Sequence, residues 1–193
     1  MDAFKISAKI FAADDQFPHD RFVPVFHKWI QSQAIENHLL IDVADYAHVV
    51  AGPGTVLVSS QANFHMDRDG NRLGLSYWRK TPLPGDFRDR LRAVIHELLK
   101  ASILLEKDVA NLRFKGEEIQ IRLNDRLNAA ANEQTLVAVK SDFEAVAGEL
   151  YGQGFKLEPH ISANSLFEIR IKSSKAVAPT TLLDRMGAST PSR

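Results

Sequence analysis

One stretch of the chain, Thr55–Arg79, limits the possible folds more than any other. Apolar and polar residues alternate on both sides of the central pair Asp69-Gly70. Alternation with a period of two is typical of β-strands that bury one face, and Asp-Gly favours a two-residue type I′ turn. With this turn at the tip, the pattern predicts an antiparallel hairpin in which Met66 lies opposite Leu73.

This register sorts the side chains of the hairpin into two faces. The inner face is predicted to be apolar and to belong to the core: Val56, Val58, Ala62, Phe64, Met66, Leu73, Leu75 and Tyr77. The outer face is predicted to carry Ser59, Gln61, Asn63, His65 and Asp67, across from Arg72, Ser76 and Trp78. Because the outer face is polar but mostly uncharged, we predict that a segment, a ligand or a partner covers it.

Composition excludes several classes of protein. The 193 residues are 45% hydrophobic and 25% charged, which is typical of a globular protein with a sizeable core. Acidic and basic residues balance at 24 each, so nucleic acid is not an expected partner. Cysteine is absent, which excludes disulfides and thiolate chemistry. No apolar run is long enough to cross a bilayer, so we expect a cytoplasmic protein without membrane contact.

The rest of the chain alternates predicted strands and helices. A long helix is predicted from Phe87 to Asp108, with Asp86 as its N-cap. Residues 133–140 are ambiguous, because they fit either one helix capped by Asn132 or a strand before a shorter helix; we favour the single helix. The element order is strand, helix, three strands, helix, strand, helix, two strands. It predicts an α+β fold, with a mostly antiparallel sheet and two or three long helices packed on one face.

The predicted elements form a single α+β domain over residues 1–172. A strand–helix–strand–strand order occurs twice, which suggests two halves at residues 1–108 and 112–172. Residues 173–193 are predicted to be a flexible C-terminal tail. The apolar surface of the helix at 87–108 is wider than one stripe, which suggests packing against a second helix or another subunit.

Motifs for cofactors and metals do not occur in full. His96-Glu97 begins a zinc-protease motif, but Lys100 stands where the second histidine is needed. The acidic segment at 67–71 lacks the later ligands of a calcium loop. Glycine-rich phosphate-binding motifs are also missing. We therefore expect no cofactor and no bound metal.

The strand before the hairpin adds candidates to the polar face. Leu39, Ile41 and Val43 are predicted to face the core, and the alternate residues would then lie beside His65 and Trp78. An imidazole exchanges protons near neutral pH and a carboxylate can orient it. The candidate catalytic residues are His48, His65 and Asp42. The candidate ligand or partner surface consists of Tyr46, Gln61, Asn63 and Trp78.

These residues leave two functions open. The first is a non-catalytic binding or assembly module that acts through the polar hairpin face, as a homo-oligomer or with a protein partner. The alternative is a cofactor-free or metal-assisted enzyme, or a protein that binds a small polar ligand, using the cluster of His, Asp and Tyr side chains.

A resemblance is carried by the run from Leu40 to Gly54 and by the later segment Asn124–Leu127. These segments resemble a bacterial family of uncharacterised hypothetical proteins, and the similarity extends through most of the chain before the tail. The resemblance implies a bacterial, cytoplasmic origin. It implies no activity, cofactor or site residue.

Overall fold

The computed structural model describes residues 1, 3–50, 52–162 and 164–188. Eight strands form one sheet: β1 (Ile6–Ala12), β2 (Leu40–Tyr46), β3 (Gly54–Ser59), β4 (Ala62–Asp67), β5 (Gly74–Arg79), β6 (Phe114–Leu123), β7 (Phe155–His160) and β8 (Phe167–Ser173). Four α-helices belong to this part of the chain: α1 (Phe22–Ser32), α2 (Phe87–Asp108), α3 (Glu133–Tyr151) and α4 (Pro179–Ala188). The strand pairings are antiparallel, so the predicted α+β class is confirmed, with four helices instead of two or three. None of the helices in the described ranges is long and apolar enough to cross a membrane.

The strand order in the sheet is β2-β3-β4-β5-β1-β6-β8-β7. β1 and β6 pair with each other near the middle. After β1 the chain forms a helix and then the edge strand β2, and the following antiparallel strands return to pair with β1. After β6 it likewise forms a helix and then the edge strand β7, and the next strand returns to pair with β6. The two predicted halves therefore share a layout. In the first half three strands (β3, β4 and β5) follow the edge strand, and in the second half one strand (β8) does. An origin by duplication stays a prediction.

The helices cover one face of the sheet. α1 packs on β2 and β3, α2 lies on β1 and β5, and α3 and α4 flank α2. Alternate strand residues such as Ile10, Phe64 and Ile119 point into this layer and are fully buried. Because one continuous core joins all the strands and helices, the other face of the sheet is the side left for a site.

Helix α2 has the predicted bounds. Asp86 and Asp89 form a reciprocal capping box, which satisfies backbone N–H groups that a helix start leaves free. Asn132 caps α3 by accepting a hydrogen bond from the Thr135 N–H at 2.9 Å, so residues 133–140 belong to one helix, as favoured.

The C-terminal segment differs from the prediction of a flexible tail. Residues 179–188 form α4, and the side chains of Leu182 and Met186 are buried against α2 and α3. The chain before α4 passes so close to β6 that a Cβ at Gly116 would collide with the carbonyl of Val177. The wide apolar surface of α2 is therefore covered within the chain. Residues 189–193 of the predicted tail lie outside the described residues.

The run from Thr55 to Asp67 is two strands and not one. Ser60 and Gln61 form a tight turn, and the hydroxyl of Ser59 both donates to the Ala62 carbonyl at 2.6 Å and accepts from its N–H at 3.1 Å. Because of this two-residue turn, even-numbered residues of β3 lie on the same face as odd-numbered residues of β4. Ser59 therefore faces the helices, whereas Val56 and Val58 lie on the outer face beside His65 and Asn63, which corrects the predicted faces of β3.

The register of β4 and β5 is shifted by two residues from the prediction. Met66 pairs with Leu75, not with Leu73, because residues 68–73 form a six-residue loop that includes a short 3-10 turn. A shift by two keeps side chains on their faces. The inward positions of Phe64, Met66 and Tyr77 are therefore as predicted.

Strand β2 has a bulge that corrects the predicted orientation of its first residues. The register shifts between Leu40 and Asp42, so Leu40 is buried while Leu39 and Ile41 are 59% and 56% exposed. An extra residue in one strand reverses the alternation locally. Beyond the bulge, Val43 faces the core, as predicted.

Candidate functional site

The site lies on the sheet face away from the helices. Pairing aligns His65, Ser76, Lys9 and Gln120 in one row across β4, β5, β1 and β6. The neighbouring row consists of Asn63, Trp78, Ser7 and Arg122. A cavity of about 420 Å³ lies over these rows, and its lining also includes residues 52–53, Asp67 and Asp69. Its volume is within the range of roughly 300–1,000 Å³ that is usual for small-molecule sites.

Lys9 is the centre of a buried ion pair at one end of the cavity. The sequence pattern predicts a half-buried β1 with Lys9 on its wet side, but the residue is only 4% exposed. Its ammonium donates to Asp67 Oδ1 at 2.5 Å, to the Arg72 carbonyl at 2.9 Å and to the Asp69 carbonyl at 3.4 Å. Burial lowers the pKa of Lys9, and the charge of Asp67 opposes that effect. With its three N–H groups engaged, Lys9 holds the β4–β5 loop in place.

The carboxylate of Asp67 is equally fixed. Oδ2 accepts a hydrogen bond from the Ser76 hydroxyl at 2.6 Å, and Oδ1 accepts one from the Asp69 N–H at 2.9 Å. Gly74 makes this arrangement possible, because a Cβ there would come within 2.7 Å of Cε of Lys9. The network is rigid and fully paired, so it shapes the cavity and leaves no free charge at this end.

His65 is one of several side chains with a buried hydrogen-bonding atom that has no partner among the described residues. Its ring stacks on Trp78, with centroids 5.1 Å apart and planes 30° apart. Burial lowers the pKa of His65 to about 4, against weaker opposing effects from Asp67 and from a hydrogen bond to the Pro53 backbone. Nε2 is buried and has no hydrogen-bond partner among the described residues. At neutral pH the ring is therefore uncharged, and Nε2 is left as an unpaired acceptor.

Arg122 forms the β6 side of the cavity. Its guanidinium donates to Glu168 Oε2 at 2.8 Å and pairs with the carboxylate of Asp69. Burial lowers the pKa of Arg122, but the hydrogen bonds and charges of Glu168 and Asp69 outweigh burial, and the pKa lies above its ordinary value. Gln120 donates to the same Glu168 oxygen at 2.8 Å. The charged groups that line the cavity are thus paired with one another.

The structure brings together three of the residues predicted from the sequence. His65 and Trp78 line the cavity, and Asn63 lies beside Trp78 on the adjacent strand. The Oδ1 atom of Asn63 is buried and, in the described part of the chain, unpartnered. Gln61 instead occupies the β3–β4 turn, where its Oε1 accepts a hydrogen bond from the Leu39 N–H at 2.9 Å.

The other three candidates lie away from the cavity. Asp42 is exposed on the edge strand, where its carboxylate accepts a hydrogen bond from the Val43 N–H at 2.8 Å. Two strand spacings and two residues separate it from His65, about 12 Å at ordinary sheet dimensions. Tyr46 lines a separate depression beside the β4–β5 loop, and His48 is exposed in the turn after β2. The three predicted catalytic side chains are therefore not gathered in one cavity.

No group of three or more His, Asp or Glu side chains within the described ranges is arranged to hold a metal ion. The candidate catalytic residues that the metal-assisted alternative would use lie apart: Asp42 is on β2, His65 is on β4, and His48 is in the turn between β2 and β3. The geometry supplies no ligand set for the metal-assisted alternative.

Sequence reasoning missed half of the site. Ser7 and Lys9 resemble the wet side of an ordinary strand, and Gln120 and Arg122 resemble a solvated face. They join the cavity only because β1 pairs with β5 in the sheet and β6 pairs with β1. Strand order is a long-range property, so no local pattern of these residues indicates their role.

Comparisons of the chain with protein-family models, with curated proteins and with solved structures found no significant match. The function of the cavity therefore has to be inferred from its own geometry.

Proposed function

We propose that this protein is a binding module that holds a small polar ligand in the cavity on the outer face of the sheet. The observation that carries the proposal is the cavity of about 420 Å³ itself, whose lining combines the stacked rings of His65 and Trp78 with charged groups that are already paired.

The chemistry of the cavity supports binding more than catalysis. A general base works best with a pKa near the operating pH, whereas the pKa of His65 is about 4. Lys9 and Asp67 are bound to each other and to neighbouring groups, so neither is available as a nucleophile or base. Without a positioned pair of nucleophile and base, the cavity can hold a molecule but has no evident means of transforming it.

The same face supports binding more than self-assembly. The expectation of a subunit contact rests on the uncharged polar hairpin face and on the wide apolar surface of α2. The second of these is covered, because α3 and α4 pack against that helix. The groove on the helix side, between residues 34–36 and 100–107, is mainly apolar and rimmed by Lys100 and Lys107. The polar sheet face instead carries the cavity of about 420 Å³, a size usual for small-molecule sites.

A fragment screen followed by two-dimensional amide NMR would test the proposal. The library should contain small uncharged, anionic and cationic compounds in equal numbers. We expect hits whose chemical-shift changes centre on Ser7, His65, Ser76 and Trp78. Hits that cluster elsewhere, or a screen without binders at millimolar concentration, would contradict the proposal.

A cavity-filling variant provides the matched control. Ser7→Met places a larger side chain on the cavity floor and should abolish the shifts. Ser141→Met makes the same change on the exposed side of α3 and should leave them intact. If Ser7→Met still binds the fragments, the binding site lies outside this cavity.

A further inference from the structure

The two edges of the sheet differ in how well they are protected from further pairing. An edge strand presents unpaired backbone N–H and C=O groups, and proteins usually block such a row with proline or charged residues. β7, at one edge, contains Pro159, which has no N–H, and the charged residues Lys156 and Glu158. β2, at the other edge, contains no proline, lysine or arginine. β2 is therefore the edge that is more open to a further strand.

The backbone groups that β2 offers follow from its hydrogen bonds. The side-chain amide of Gln33 donates to the Leu40 carbonyl at 3.1 Å and accepts from the Leu40 N–H at 3.1 Å, and the Asp42 carboxylate accepts from the Val43 N–H at 2.8 Å. Leu40 and Val43 thus direct their backbone groups away from β3. Because alternate residues of a strand bond to the same side, Asp45 does so as well. The Val43 carbonyl and both backbone groups of Asp45 are left for an added strand.

Exposed apolar side chains gather along the same edge. Nine large hydrophobic side chains are exposed among the described residues, and five of them belong to β2 or lie close to its ends: Leu39, Ile41, Tyr46, Val49 and Val50. Apolar side chains that are exposed together are typical of an interaction surface. A partner segment with apolar side chains of its own would cover them.

The charge of this edge indicates the chemistry of the partner. From Trp29 to Asp67 the chain contains no lysine or arginine, and two of its acidic residues, Asp42 and Asp45, are exposed on β2. Two copies of β2 paired with each other would bring four of these carboxylates together, and like charges across strands oppose pairing. A strand with lysine or arginine side chains would instead be attracted to this edge.

We propose that β2 is the docking edge for an extended segment of a partner protein that combines lysine or arginine with apolar residues. The segment adds a ninth strand to the sheet of eight. Its backbone pairs with Val43 and Asp45, its apolar side chains cover Ile41, and its cations lie beside the carboxylates of Asp42 and Asp45. No residue of β2 lines the cavity, so the inference does not depend on the proposed function.

A synthetic peptide tests the inference directly. The probe is acetyl-TKVKVKVT-amide, and its charge control is acetyl-TEVEVEVT-amide. Affinities come from NMR titration of the full chain at low salt. We expect the basic peptide to bind with chemical-shift changes centred on the amides of Val43 and Asp45, and the acidic peptide to bind at least tenfold more weakly. Binding of the basic peptide should weaken as salt is added.

Variants at Asp45 separate the charge from the backbone pairing. Asp45→Asn removes only the charge and should weaken the basic peptide about threefold. Asp45→Pro also removes the N–H at the open edge, a position where an edge strand tolerates proline, and should weaken the peptide at least tenfold. Glu158→Gln removes an exposed carboxylate from the opposite edge and should leave the affinity within about twofold.

Hydrogen exchange provides a second measurement of the pairing in the unmodified protein, in case Asp45→Pro does not fold. Adding the basic peptide should slow exchange of the Asp45 amide at least tenfold. An unchanged exchange rate, equal binding of the acidic peptide, shifts centred elsewhere, or no binding at millimolar concentration would each overturn the inference. Light scattering adds one further outcome: a dimer that Asp45→Pro abolishes would show that a second copy, and not a basic segment, occupies the edge.

Discussion

Lys9 is the residue whose role depends most on its surroundings. In the sequence it is one polar position of an alternating strand, yet the fold buries it and directs its ammonium at Asp67. A buried ion pair contributes little net stability, but removing one partner leaves the other charge uncompensated, at a cost of roughly 3–5 kcal/mol. The pair therefore fixes the geometry of the cavity wall more than it stabilises the fold.

Replacing Lys9 with Met should lower the free energy of unfolding by about 3 kcal/mol or more, because the carboxylate of Asp67 stays buried without its cation. Urea denaturation measures the change. Lys5→Met, which removes an exposed lysine just before the same strand, should change it by less than about 0.5 kcal/mol. Equal effects of the two variants would show that the ion pair does not matter for stability.

His65 should make the stability of the protein depend on pH. Its pKa is about 4 in the folded protein and about 6.5 when unfolded, so the unfolded chain binds the proton more readily. The contribution of His65 to the free energy of unfolding should be constant above pH 7 and should fall as pH decreases from 6.5 towards 4, by up to about 3 kcal/mol.

Urea titrations of the unmodified protein and of His65→Gln at several pH values measure this contribution. The pKa values of His19 and His38 are also lowered by burial, but both residues are present in each protein. The difference between the two curves therefore isolates His65. Parallel curves between pH 7 and 4.5 would contradict the lowered pKa.

At the residue scale, the sequence predicted the face of a side chain but not its partners. The outward positions of Asn63, His65 and Trp78 follow from alternation within β4 and β5 and agree with the structure. The partners of Lys9 and Arg122 come from other strands and loops, 58 and 53 residues away in the chain. Alternation says nothing about contacts at such distances.

At the scale of elements, the predicted faces of strand residues were wrong where a short turn or a bulge changed which residues point to the core. β3 and β4 read as one alternating run, because the Ser60-Gln61 turn has no glycine or proline to mark it. The bulge in β2 shifted Leu39 and Ile41 to the exposed side in the same way. The prediction of helix starts does not depend on this alternation. The cap at Asp86 was sufficient to place the start of α2, whereas the cap at Asn132 favoured the start of α3 but left a strand at residues 133–140 open.

Helix α4 should be needed to keep α2 from self-association. Leu182 is fully buried, so Leu182→Asp should detach α4, lower the free energy of unfolding by about 3 kcal/mol or more and expose apolar surface. Light scattering at high micromolar concentration should then detect oligomers that the unmodified protein does not form.

Thr181→Asp is the matched control, because it introduces the same charge at the adjacent, exposed position of α4. It should leave both the stability and the scattering mass unchanged. A monomeric, stable Leu182→Asp protein would indicate that α4 does not protect α2.

At the scale of the whole molecule, one core and one sheet join the two halves. β1 and β6 pair directly, and the buried residues form a continuous cluster from Ala3 to Met186. Small domains with one core usually unfold in a single cooperative transition. The division at residues 108–112 suggested by the repeated element order therefore does not coincide with a gap in the core.

Urea unfolding followed by tryptophan fluorescence and by far-UV circular dichroism should give coincident transitions. Both tryptophans, Trp29 and Trp78, lie in the first half, whereas circular dichroism reports on the whole chain. Phe155→Trp in a chain lacking the native tryptophans would report on β7 at the far edge of the sheet. Separate midpoints for the two halves would contradict a single cooperative unit.

By itself, the sequence determined the α+β class, the start of α2 and the polar outer face at His65 and Trp78, because these depend on local periodicity and capping. Only the tertiary structure decided that β1 and β6 lie beside that face, that Lys9 and Asp67 pair there, and that α4 covers α2. These features require contacts between residues far apart in the chain. Whether an alternating strand faces water or a cavity depends on which strands become its neighbours.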